Sequence, residues 1–164
     1  MQPLRIVAGG PTPRWTLRRW DELERDELYE ILRLRARVFV VEQRCAALDL
    51  DGIDRRAWHL WTAAPGGAPQ AYLRLFAVGD RFSQVGIGRV VTAADVRGLG
   101  LGRQLMAVGL ECAARLFGRV PVRVSAQAYL EHFYTELGFV RISENYDEDG
   151  IPHLAMVRTA LAED

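Results

Sequence analysis

Between a β-prone run and a long apolar-periodic segment, the chain reads Val96-Arg97-Gly98-Leu99-Gly100-Leu101-Gly102-Arg103. Glycines at alternate positions leave the backbone amides bare. A helix starting there aims its free N–H groups, and the positive end of its dipole, at the same spot. The chemistry such a turn supports is anion binding, and a nest of amides suits a pyrophosphate. Spacing excludes two familiar versions. A P-loop needs G-x-x-x-x-G-K, and this chain contains no lysine; a dinucleotide fingerprint needs G-x-G-x-x-G, whereas from Gly100 the residues run Gly-Leu-Gly-Arg-Gln-Leu. What remains is R-x-x-G-x-G, with Arg97 and Arg103 adding positive charge at the rim. The plainer alternative is a tight strand-to-helix turn with no ligand.

Other residues could move protons. Tyr134, in the Phe133-Tyr134 pair, is either a phenol acid or a core aromatic packed beside Phe133 and Phe139. Glu42, Asp49, Asp51, Asp54, the Glu144 to Asp149 stretch and His153 are the possible bases. The D-x-D-G-x-D spacing from Asp49 invites calcium, but it lacks the further oxygens and closing glutamate of an EF-hand, so no metal is assigned and a solvated acidic loop is expected. His59, between Trp58 and Trp61, reads as a packing residue, His132 as solvent-facing, Cys112 as inert core and Cys45 as an exposed thiol with no nucleophilic role. Arg74 and Arg89 alternate with apolar neighbours and would need acidic partners if buried.

The elements that must position these residues follow from periodicity. Apolar spacing predicts a helix from about Asp26 to Gln43. Alternation predicts strands over 58–64, 71–78, 87–92 and 120–126, with a helix over 101–117 between the last two, a strand-helix-strand unit joined in parallel. A short helix over 130–137 stops at Gly138, and the runs FVRI and HLAMVRTA close the chain as strands around an acidic loop. Residues 1–14, with three prolines and two adjacent glycines, read as a flexible leader, and 15–164 as one domain.

Composition narrows the classes. At 164 residues, 49% hydrophobic and 26% charged, the chain can bury a core of its own. Basic and acidic residues number 21 each, so no polyanion partner is implied, and nucleic acid is not expected. Without lysine there is no Schiff-base chemistry. The two cysteines lie far apart with no secretory leader, and no apolar run reaches the ~18 residues a membrane span requires, so a cytoplasmic location is expected.

The stretch IGRVVTAADVRGLGLGRQLM resembles the acyl-coenzyme A motif of the GNAT acetyltransferase superfamily, and AYLEHFYTELGF resembles its second motif. LRARVFVVEQRCAALDLDGID and YDEDGIPHLAMVR are similar to the ElaA-like branch, so the resemblance runs from about residue 15 to 159. It implies an α/β fold with a mixed, mostly antiparallel twisted sheet, helices on both faces and a V-shaped opening. It also implies that the backbone of Val96, Arg97, Gly98, Leu99, Gly100, Leu101, Gly102 and Arg103 holds the pyrophosphate. Val90, Val91 and Thr92 would pair with the pantetheine arm, whose two amides can add to a strand edge as a peptide does. A splay between 87–92 and 120–126 would make the slot.

By the same resemblance Tyr134 is the general acid, with a main-chain amide of Val90 or Val91 holding the oxyanion. The base departs from the common pattern, because IGRVVT carries Arg89 and no carboxylate; Glu42 is the best single candidate, since it leads into the segment that borders the acceptor. The implied reaction is acetyl transfer from acetyl-CoA, as cosubstrate, to a primary amine of a small molecule or peptide by direct attack in a ternary complex. The acidic loops at 49–54 and 144–149 would attract a cationic acceptor. The rivals are a catalytically silent acyl-CoA binding or sensing domain and a purely structural one. Pairing of the closing strands across a homodimer is a further expectation.

Overall fold

A computed structural model of the chain describes residues 13–160; the expected leader lies almost wholly outside them. The domain opens with a strand the periodicity did not suggest, β1 (Trp15–Arg19), five residues of which only Trp15 is buried. It is a strand because it pairs in register with β2 (Trp58–Ala63), from Trp15 opposite Thr62 to Arg19 opposite Trp58. β3 (Pro69–Phe76), β4 (Val85–Thr92), β5 (Val122–Gln127), β6 (Val140–Arg141), β7 (Tyr146–Glu148) and β8 (Ile151–Arg158) complete a sheet of order β1-β2-β3-β4-β5-β8-β6, with β7 on β8 beside β6. Each pairing is antiparallel except β4 with β5.

Helices cover both faces. In β3 the alternation sends Leu73 and Leu75 one way and Tyr72 the other. Helix α2 (Leu101–Phe117) buries Leu105, Met106, Val108, Gly109, Cys112 and Ala113, a stripe at helical spacing, against Leu73, Leu75 and Ile87. Its approach is close: a Cβ on Gly109 would stand 2.7 Å from Leu73 Cδ2. On the opposite face, α1 (Arg25–Arg35) packs Ile31 and Leu34 with Trp61, Tyr72 and Val91. No helix among the described residues is long and apolar enough to cross a membrane.

Two expected elements differ. The helix over 26–43 is α-helical only to Arg35 and continues as a π-helical turn, Ala36–Glu42, in which Gln43 N–H donates to Val38 O (3.0 Å) and Cys45 N–H to Val40 O (3.1 Å). The wider turn fits the β-branched Val38, Val40 and Val41, which crowd an α-helix. The acidic loop of residues 144–149 contains a strand. Asp149 (φ 55) and Gly150 (φ 83) both adopt left-handed backbone, as a tight hairpin requires, and fold Tyr146–Glu148 back onto Ile151–His153. The short final helix is α3 (Glu131–Glu136), entered through a 3-10 turn at Ala128–Leu130.

Candidate active site

The parallel β4–β5 pair lasts for only two registers, Val85 with Val122 and Gly86 with Arg123, after which the strands part. The gap is a cleft of about 470 Å³, walled by β4, β5, the π-helical turn, α3 and the β7–β8 hairpin.

Val90, Val91 and Thr92 all line it. The strand is bulged here: Arg74 faces Gly88 and Tyr72 faces Val91, so Arg89 and Val90 together oppose Leu73. Arg89 holds φ 50, left-handed backbone unusual for a residue with a side chain. Its guanidinium is tied down, with Nε 2.8 Å from Asp49 Oδ1 and an N–H donated to Asp49 O at 2.9 Å.

At the end of β4, the glycine turn takes the conformation an amide nest needs. Gly98 (φ 78) and Gly100 (φ 80) are left-handed, and a Cβ at either would meet nothing within 4 Å, so backbone conformation and not crowding calls for glycine. Gly100 sits just before α2, whose first N–H groups point out of the helix end. Of residues 96–103 only Arg97 lines the cleft. Arg97 grips Glu42 with two N–H groups, one at 3.1 Å from Oε2, and donates to Thr92 O at 3.2 Å. Arg103 turns away to Glu136 and lies over the Phe133 ring.

Glu42 lines the cleft mouth but is a weak candidate base. The hydrogen bond from Arg97 holds its carboxyl below the usual range, and a depressed carboxylate takes a proton poorly. Tyr134 satisfies both readings entertained for it: it is 5% exposed, set edge-on to Phe133 and Phe139 at 5.1 and 5.7 Å between centroids, and it also lines the cleft. Its hydroxyl has no hydrogen-bond partner among the described residues. Burial raises its pKa and keeps it protonated.

The 49–54 stretch is only partly the solvated loop expected: Leu50, Asp51 and Gly52 are exposed, but its aspartates are paired with arginines. Asp54 is buried and accepts from Arg35 (2.6 Å) and Arg74 (2.9 Å); Asp49 accepts from Arg35 (2.9 Å) and Asp51 from Arg74 (2.8 Å). Burial would raise the Asp51 and Asp54 pKa values, but the arginine contacts outweigh it and both lie below the usual range. Arginines 35, 74 and 89 balance the aspartates charge for charge, so this loop offers no net attraction to a cationic acceptor, contrary to expectation. The aspartate oxygens that suggested calcium face guanidinium groups. His59 is a packing residue as expected: its Nε2–H donates to Asp54 O (2.9 Å) and Nδ1 accepts from Tyr72 Oη (2.8 Å).

The far wall was less legible. Glu148 and His153, named only among several possible bases, face each other with His153 Nε2 3.8 Å from Glu148 Oε2. Arg81 and Ser125 donate to Glu148, the latter at 2.8 Å, and Tyr146 stacks on His153. Burial opposes ionisation of Glu148, but the Ser125 and Arg81 contacts hold its pKa down. Gln43 and Gln127 exchange amide hydrogen bonds across the cleft at 3.3 and 3.0 Å. No motif pointed to Arg81, Ser125 or the glutamines; the Asp149-Gly150 pair was the available signal for the hairpin that carries Glu148.

With this geometry in view, known proteins supply a frame. A family model described as an acetyltransferase (GNAT) domain matches residues 52–160. Protein ElaA of Escherichia coli is 39% identical over 142 residues, covering 86% of this chain and 93% of its own. The crystal structure of that protein superposes with a TM-score of 0.83 over 90% of this chain and 99% of its own, at 38% identity. A crystal structure described as an acyl-CoA N-acyltransferase from Pseudomonas aeruginosa gives 0.85 at 44% identity, covering 90% of this chain and all of that one.

Proposed function

The chain belongs to the GNAT acetyltransferase family, whose members transfer acyl groups from acyl-CoA, and on that premise we propose that it moves the acetyl group of acetyl-CoA to a primary amine by direct attack in a ternary complex. The observation that carries this reading is the bulged, unpaired edge of β4 at Val90–Thr92 running into the left-handed Gly98–Gly100 turn. The strand edge offers pairing to the two pantetheine amides. The amides of the Val96–Arg103 turn, with Gly98, Gly100 and Gly102 keeping it open, offer donors to the pyrophosphate, and Arg97 adds charge at its rim.

As the amine nitrogen attacks the thioester carbon, charge gathers on the carbonyl oxygen, where a main-chain N–H of Val90 or Val91 stabilises it. Collapse breaks the C–S bond, Tyr134, kept protonated by burial, hands its proton to the departing sulfur, and the nitrogen returns its extra proton to the phenolate as the amide forms. Glu42 we reassign from base to partner of Arg97. Work in the cytoplasm suits the free Cys45 and Cys112. Self-association through the closing strands suits Val140 and Ile142, 66% and 52% exposed on and beside β6.

Calorimetric titration with acetyl-CoA, alongside free-thiol release over a panel of polyamines, aminosugars, amino acids and short peptides, tests the reading. Binding with amine-dependent release supports it; binding with no release turns the protein into an acyl-CoA sensor, and no binding refutes it.

A further inference from the structure

Resting on that reading, we infer that Glu148 and His153 form the acceptor subsite, a pair that selects a primary ammonium and in which His153 takes its proton. The argument begins with hydrogen positions. His153 Nδ1 lies 2.7 Å from Ile151 O, a group that can only accept, so in the neutral imidazole Nδ1 carries the hydrogen and Nε2 presents a lone pair. That lone pair faces Glu148 Oε2 at 3.8 Å, and Glu148 is an anion anchored by Arg81 and Ser125. Two acceptors therefore look at each other across a gap too long for a hydrogen bond. The group that suits such a gap is a cation rich in donors, and a primary ammonium has three N–H groups.

Both residues line the cleft that Val90, Val91 and Tyr134 line. They sit on a rigid hairpin: β7 pairs Tyr146 with His153 and Glu148 with Ile151, and β5 pairs Gln127 with His153. The His153 side chain is 12% exposed, and stacking by Tyr146 fixes its plane. Two protons must leave the nitrogen. The ammonium gives the first to Nε2, and the neutral nitrogen is free to attack the thioester; the second leaves the acylated nitrogen and restores the Tyr134 phenol, while the imidazolium formed is stabilised by the Glu148 carboxylate and by its Nδ1–H bond to Ile151 O. Groups facing the imidazole are Glu148 and Tyr146 from β7 and Gln127 from β5, with Arg81 reaching it only through Glu148. Beside the paired Glu42 and Arg97 the cleft also carries the exposed Leu48 and Tyr129, so an amine with an apolar body suits it.

Phenethylamine is the probe, with phenethyl alcohol as its uncharged analogue. The chain has three histidines, so their ring-proton resonances can be assigned by substitution. Phenethylamine should shift the His153 resonance of the acetyl-CoA-free protein, the alcohol should not, and Glu148→Gln should abolish the shift. An equal response to the alcohol, or none to the amine at millimolar concentration, overturns the assignment. In thiol release, His153→Gln and His153→Asn should lower kcat/KM about 10²-fold or more and flatten its rise with pH. The heat of acetyl-CoA binding and the unfolding midpoint should not move. If acetyl-CoA binds and transfer proceeds with an unchanged pH profile in both variants, this subsite is wrong and the transferase reading stands. If the wild-type protein binds no acetyl-CoA, both fall.

Discussion

Asp54→Asn should be among the most damaging single changes outside the hydrophobic core. The substitution keeps the shape of the side chain and removes its charge, leaving Arg35 and Arg74, both fully buried, with one carboxylate each instead of a shared one. The cluster of three arginines and three aspartates then carries an uncompensated positive charge. Removing one partner of a buried pair costs about 3–5 kcal/mol, because the remaining charge cannot return to water. Against a total stability of about 5–15 kcal/mol this is a large fraction, and it corresponds to a Tm lower by about 6–20 °C for a domain of this size. Asp21→Asn, on a carboxylate 77% exposed, is the control and should change stability by less than about 0.5 kcal/mol.

The acid limb gives an independent reading. Asp51 and Asp54 have depressed pKa values in the folded protein, so they take up protons more readily when unfolded. Their contribution is fully present above the unfolded carboxylate pKa of ~4 and is lost as pH falls through the lower folded values. Urea denaturation from neutral to acid pH should show a shallower loss in Asp54→Asn than in wild type. A neutral-pH difference under about 1 kcal/mol, or identical acid slopes, would refute the energetic account of the cluster.

Three further outcomes follow from the same geometry. Gly100→Ala meets no steric obstacle but must hold φ 80, at a strain of about 1–2 kcal/mol, so thermal stability and acetyl-CoA affinity should both fall, and Gly100→Asn should recover part of each. Gly86→Ala would place a Cβ 1.9 Å from the Phe76 ring and should destabilise by about 1–3 kcal/mol in urea, with relief in the Gly86→Ala/Phe76→Leu double variant. Glu42→Gln releases Arg97 for phosphate and should tighten acetyl-CoA binding by up to about fivefold at low salt without altering the pH profile of transfer; loss of the rise with pH would return the base role to Glu42.

What was legible in the sequence was what depends on near neighbours. The bounds of α2 follow from a left-handed glycine before it and another after it, Gly100 and Gly118, and the central strands follow from alternation. The nest at Gly98–Gly100 is a local property of the backbone, so its motif could reveal it. β1 was missed because its arginines and threonine mask the period, and only pairing with β2 makes it a strand. The pairing of Asp49, Asp51 and the buried Asp54 depends on Arg35, Arg74 and Arg89, which lie 14 to 40 positions away in the chain; without those partners the same residues read as a solvated loop. Glu148 was hidden for a similar reason, since its surroundings come from Arg81 in the β3–β4 loop and Ser125 on β5.

Thiol release from acetyl-CoA by wild-type protein and Tyr134→Phe, measured with the same amine, bears most directly on the proposed chemistry. The Tyr134 hydroxyl has no partner among the described residues, so removing it should leave the unfolding midpoint and acetyl-CoA affinity unchanged while lowering kcat about 10²–10⁴-fold. Equal amine-dependent rates in the two proteins would contradict the acid role and leave Tyr134 as an aromatic of the core.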